Sequence, residues 1–131
     1  MKVLDSSFLM DYESGHPATK TYLEANSSDE FVIPSPIYIE FLLGAVYGTG
    51  DLTVTRAQQA LEWATVAPIT KQTALAAIDV AEEAGPQAPQ LTGIDAVIVG
   101  LTRELGAALV SNDRDHTHPA VQTVLDIDEY R

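Results

Sequence analysis

The chain has 131 residues, enough for one domain with its own core, and 46% of them are hydrophobic, which excludes a disordered chain. It contains no cysteine, so disulfides, thiolate metal sites and cysteine nucleophiles are ruled out. Nineteen acidic residues against seven basic ones give a net charge of −12, which repels nucleic acid and fits either a salt-adapted (halophilic) protein with a hydrated acidic surface or an acidic protein with a basic partner.

No apolar run reaches membrane-spanning length, and the first residues lack the charged-then-apolar layout of a signal peptide, so a soluble cytoplasmic protein is expected. Residues 2–5 read as a short buried strand, and Ser6 and Ser7 are candidates to cap a helix just after it. A second helix is expected over 17–25, ended by Asn26-Ser27-Ser28, and a strand over 30–33. Ser35 followed by Pro36 looks like a cap with proline at the first helical position, opening a helix that runs to about Gly48. Residues 53–64 form a helix with a charged and glutamine-rich face, and 65–69 a short strand. The amphipathic pattern of 70–84 predicts a helix with Leu75, Ile78 and Val80 turned inward. Residues 85–89, with Gly85, Pro86 and Pro89, are the clearest loop. Thr92 opens a helix with Ile94, Val97, Ile98, Leu101 and Leu105 at helical spacing, and Gly106 ends it. A strand follows over 107–111, and the last one falls within 121–127. Strands alternating with helices imply one α/β domain over 1–131, a three-layer sandwich with a mostly parallel sheet of four to five strands and helices on both faces.

Four carboxylates stand alone in apolar stretches. Asp5 ends the first strand. Glu40 is the only charge in 31–50. Asp95 is the only charge in 91–102. Asp113 closes the apolar run of 105–112. An ionised carboxylate in apolar surroundings is costly unless it is paired or binds a cation. In an open parallel sheet the carboxyl ends of the strands form the ligand-binding edge, and all four acids have positions that can meet there. Carboxylate ligands suit magnesium or manganese, and such a cluster supports metal-assisted hydrolysis of a phosphodiester. Each acid also has a plainer reading. Asp5 can cap the following helix, Asp95 can close a capping box from Thr92, Glu40 can lie on a polar helical stripe, and Asp113 and Asp115 can form a turn with Asn112.

At these positions the chain resembles the PIN-domain nucleases. Asp5-Ser6-Ser7-Phe8-Leu9 resembles their opening motif, Ser35 to Glu40 the second, Thr92 to Ile98 the third and Ser111-Asn112-Asp113-Arg114-Asp115 the fourth. Order and spacing cover nearly the whole chain, which is most similar to toxins of the VapC type. The resemblance implies a magnesium- or manganese-dependent endoribonuclease acting on RNA, a homodimer and neutralisation by a small antitoxin. It assigns Asp5, Glu40, Asp95 and Asp113 to metal binding and catalysis, Ser7 and Ser111 to supporting hydroxyls, and Asp115 to an optional fifth acid. Where the family's fourth motif often ends in phenylalanine, this chain has His116, and Ser111 stands for the more usual threonine. A housekeeping RNA-processing nuclease and a non-catalytic acidic interaction module of the same fold are the alternatives.

Of the remaining signals, His116-Thr117-His118 beside Pro119 reads as a solvated turn, and Asp79, Glu82 and Glu83 as an exposed helical face. Tyr38, Phe41, Tyr47 and Trp63 read as core or dimer contacts. Arg114, between two acids, is the cation best placed to touch a phosphate. A haloacid-dehalogenase phosphatase needs a second aspartate where Ser7 stands. A receiver domain needs a lysine near the last strand, and no lysine follows Lys71.

Overall fold

A computed structural model describes residues 1–131. Five strands carry the fold: β1 (Lys2–Leu4), β2 (Phe31–Pro34), β3 (Thr65–Ala67), β4 (Ala108–Val110) and β5 (Asp126–Asp128). Between β1 and β2 lie α1 (Ser6–Glu13) and α2 (Pro17–Ala25), and between β2 and β3 lie α3 (Ser35–Tyr47) and α4 (Val54–Ala60). Next come α5 (Lys71–Ala84) and α6 (Gly93–Leu105) before β4, and α7 (Pro119–Gln122) before β5.

The sheet order is β3-β2-β1-β4-β5, and every neighbouring pair is parallel. Val3 sits level with Val32 on one side and Leu109 on the other. Strands covered on both faces need apolar residues at successive positions, which is why Val3-Leu4, Phe31-Val32-Ile33 and Leu109-Val110 are buried without alternation. The chain steps from β1 outward to β3, then crosses back past β1 to β4. Right-handed crossovers therefore place the first helices on one face and the later ones on the other. The packing agrees: α1 contacts α2 and α3, and α3 contacts α4, while α6 lies on β1, β2 and β4 with α5 against it and α7 beside α5.

On the α1–α2 face, six rings form an edge-to-face chain, Tyr130–Phe8–Tyr22–Phe31–Trp63–Tyr12, with centroids 4.9 to 6.5 Å apart. Beside it, Asp128 of β5 accepts bonds from Lys2 Nζ of β1 and Tyr22 Oη of α2, both at 2.7 Å, tying the two ends of the chain together.

Several local expectations change. The cap of α1 is Asp5, with Ser6 and Ser7 inside the first turn. Helix α3 is capped by Pro34 without a side-chain bond, so Ser35 is no cap. Helix α4 stops at Ala60, short of the expected residue 64. Trp63 Nε1 (2.7 Å) and Tyr12 Oη (3.2 Å) donate to the Ala60 carbonyl, which a continuing helix would have used. Helix α5 turns Thr73, Ala76 and Val80 inward, and leaves Leu75 (50% exposed) and Ile78 (57%) outside. The cause is the approach of α6. A Cβ at Gly100 would lie 2.5 Å from the Thr73 carbonyl oxygen and 2.9 Å from Ala77 Cβ, so small residues face each other where the helices meet.

Candidate functional site

The order of strands reverses between β1 and β4, and in an open parallel sheet the crevice that binds ligands lies outside the carboxyl ends of the strands at that point. Asp5 follows β1 directly, and its backbone N–H donates to the Val110 carbonyl at 3.2 Å, holding it against the end of β4. Its carboxylate is buried, at 4% exposure. One oxygen accepts the Ser6 backbone N–H at 2.7 Å. The other accepts Ser7 Oγ at 3.1 Å and Ser111 Oγ at 2.8 Å. Burial alone would raise its pKa. The adjacent His116, and after it the bonds from Ser111 and Ser6, outweigh burial and hold it below the usual carboxylate range. Asp5 is thus both the helix cap of the plainer reading and an anion fixed at the crevice.

Ser111 leaves β4 fully buried, and its Oγ also meets the Asp113 backbone N–H at 3.1 Å and His116 Nδ1 at 2.9 Å. Asp113 is exposed, and one of its oxygens accepts the Asp115 N–H at 2.8 Å, so the turn of the plainer reading forms as well. Asp115 and Arg114 are exposed, and Arg114 makes no ion pair. Asp95 sits in the first turn of α6, with its side chain 40% exposed. Thr92 makes no side-chain capping bond, so the expected capping box does not form. Burial and then the charges of Asp113, Asp5 and Asp115 raise the Asp95 pKa, against the opposing pull of His116.

Glu40 stands apart. It is exposed on α3 without a hydrogen bond or ion pair, and it lines a groove of about 200 Å³ between α1 and α3 with Ser6, Met10, Glu13 and Phe41. Ser6, next to Asp5, lines the same groove, and this is the link between Glu40 and the crevice.

The residue that the sequence pattern misplaces is His116. It is no solvated side chain: it is 0% exposed, with Nδ1 3.6 Å from Asp5 Oδ2 and Nε2 3.3 Å from Asp95 Oδ1. Burial lowers its pKa, but Asp5, Asp95 and Asp113 outweigh it and raise the net value above that of an ordinary histidine. The available signal was its place in the fourth motif, where phenylalanine often stands. A position that takes phenylalanine is a buried one. His118 does belong to the turn, and its Nδ1 accepts the Ala120 N–H to cap α7.

No three acidic or imidazole side chains are drawn together in metal-ligating geometry. The donor set still fits a hard divalent cation. Asp5, Asp113 and Asp115 are close enough for their charges to raise Asp95, as oxygen donors gathered for such a cation are, and the buried His116 Nε2, a nitrogen donor, lacks a hydrogen-bond partner beside them.

Compared with known proteins, residues 2–122 match the family described as PIN domain. No curated protein matches the chain in sequence. Among solved structures, a toxin–antitoxin complex from Klebsiella pneumoniae aligns at 20% identity and TM-score 0.78, over 100% of this chain and 98% of that one. VapBC2 from Rickettsia felis, bound to a DNA fragment from its promoter, aligns at 13% identity and TM-score 0.74, covering 97% and 96%. FitAcB from Neisseria gonorrhoeae aligns at 11% identity and TM-score 0.78, covering 99% and 98%.

Proposed function

The chain belongs to the PIN domain family, and from that premise we propose that it is a divalent-metal-dependent endoribonuclease, the toxin of a toxin–antitoxin pair. Asp5 carries the reading: a buried carboxylate held ionised by hydroxyl and N–H donors, where the strand order reverses. Asp5, Asp95, Asp113 and Glu40 hold magnesium or manganese, with Asp115 as an additional acid. When bound, the cation activates water and neutralises the scissile phosphate. Ser7 and Ser111 orient Asp5 through their hydroxyls, and the unpaired Arg114 steers the RNA backbone toward the acids. Glu40 closes the site from α3, across the groove beside Ser6.

Residues 1–131 act as one catalytic unit in the cytoplasm, and no helix is long and apolar enough to cross a membrane. Exposed apolar side chains on α1 and α3, among them Met10, Ile39, Leu43 and Val46, support binding of an antitoxin and pairing of two copies. The solved complexes of toxins with antitoxins support the same assignment by likeness of fold. The acidic surface suits a salt-rich cytoplasm.

The test is RNA cleavage by the purified protein with and without manganese or magnesium, at low and molar potassium chloride. Cleavage should need the metal and should fall by orders of magnitude in Asp113→Asn, whose exposed side chain leaves the melting midpoint unchanged. Persistence of wild-type cleavage in excess chelator refutes the mechanism. Expression in a related host should stop growth, and Asp95→Asn should abolish that effect. Equal growth at matched protein levels would refute the toxin assignment and leave an RNA-processing nuclease.

A further inference from the structure

His116 is the buried polar group that carboxylate chemistry leaves without a task. Its tautomer follows from the protons available at Ser111. A hydroxyl has one hydrogen and two lone pairs. Ser111 Oγ has three partners: Asp5 Oδ2 at 2.8 Å, the Asp113 N–H at 3.1 Å and His116 Nδ1 at 2.9 Å. The Asp5 carboxylate only accepts, so it takes the hydroxyl hydrogen. The Asp113 N–H occupies one lone pair, and the other is left for an N–H on His116 Nδ1. The neutral ring therefore carries its hydrogen on Nδ1 and a lone pair on Nε2.

That nitrogen is buried, has no hydrogen-bond partner and lies 3.3 Å from Asp95 Oδ1. In the neutral ring this lone pair and the carboxylate oxygen repel each other, and a proton or a metal cation held between them satisfies both. Histidine ligands commonly have this arrangement, one nitrogen fixed by an N–H bond to an acceptor and the other free for the metal. Here the acceptor is Ser111, which also fixes Asp5.

On the premise of the metal-dependent reading above, we propose that His116 Nε2 is a ligand of the cation, beside the carboxylates of Asp5 and Asp95, and that it makes the site select manganese over magnesium. Magnesium favours an all-oxygen shell that retains water, whereas first-row transition ions accept imidazole nitrogen.

Manganese and magnesium are titrated separately, without RNA, into the full chain and into His116→Phe, which keeps a buried aromatic ring. The wild type should bind manganese at least about tenfold more tightly than magnesium. The variant should lose about tenfold or more for manganese and less than about twofold for magnesium. Pulsed electron paramagnetic resonance of the manganese-loaded wild type should show coupling to a directly bound nitrogen. If His116→Phe does not fold, His16→Asn and His118→Asn decide the assignment, since the chain has three histidines. The coupling should persist in both. Manganese binding without nitrogen coupling, or coupling that disappears in either of those variants or survives in a folded His116→Phe, overturns the ligand. The proposed nuclease function survives these outcomes. Absence of any divalent-cation binding overturns both.

Discussion

Ser111→Ala removes one oxygen that serves three groups in a fully buried place. The Asp5 carboxylate loses a charge-assisted bond, a loss of roughly 1.5–3 kcal/mol, and keeps Ser7 and the Ser6 N–H. The Asp113 N–H and His116 Nδ1 are each left without an acceptor, at a cost of about 1 kcal/mol or more apiece. The three bonds share one atom, so the terms overlap instead of adding, and a net loss of about 3 kcal/mol is expected. That is a large share of a stability of about 5–15 kcal/mol. At a urea slope of about 1.5–2 kcal/mol/M, the unfolding midpoint should fall by roughly 1.5–2 M. Unfolding is followed by circular dichroism in chelator, so that metal binding does not stabilise either protein. Ser111→Thr is the control. It keeps the hydroxyl, adds a methyl group to a packed site and should cost only about 1 kcal/mol. A Ser111→Ala protein within about 0.5 kcal/mol of wild type, or a threonine variant as damaged as the alanine one, would refute this account of the site.

Glu40→Gln should lower RNA cleavage at saturating manganese by orders of magnitude while the melting midpoint stays constant, because the side chain is exposed and unpaired; Glu62→Gln serves as the control, and unchanged cleavage removes Glu40 from the site. Asp128 is held below its ordinary value of 3.8: burial raises its pKa, but the bonds from Lys2 and Tyr22 and the Lys2 charge lower it further. Its contribution is therefore complete above the unfolded pKa and is lost as pH falls through the folded one. The stability difference between wild type and Asp128→Asn should be constant near neutrality and shrink below about pH 4; a gap that widens on acidification contradicts the linkage. With −12 on 131 residues, the melting midpoint of the metal-free protein should rise from low to molar potassium chloride through screening, and a steady fall would count against salt adaptation.

The order and type of the elements up to β4 were legible because they depend on local patterning, whereas the short α7 (Pro119–Gln122) was not expected and β5 (Asp126–Asp128) runs one residue past the span of 121–127. Apolar runs such as 31–33 mark strands covered on both faces, and Gly106, in the left-handed conformation, stops α6 where expected. Sequence also predicted that Asp5, Glu40, Asp95 and Asp113 meet at one edge, since each follows a strand end or a helix start; Asp95 senses the charges of Asp5 and Asp113, whereas Glu40 lies exposed on α3 in the groove beside Ser6. It did not reveal which apolar residues of α5 face inward. Periodicity locates a stripe but not the depth of the neighbour, and the close approach at Gly100 favours Thr73, Ala76 and Val80 over the larger Leu75 and Ile78. Nor did it reveal His116. A histidine among aspartates, threonine and proline has the local composition of a surface turn. Only the three-dimensional return of that turn, with the Thr117 N–H on the Asp113 carbonyl at 2.9 Å, carries the ring between Asp5 and Asp95. Burial and charge contact are set by residues far apart in the chain, here 5, 95 and 116, and no local pattern encodes their meeting.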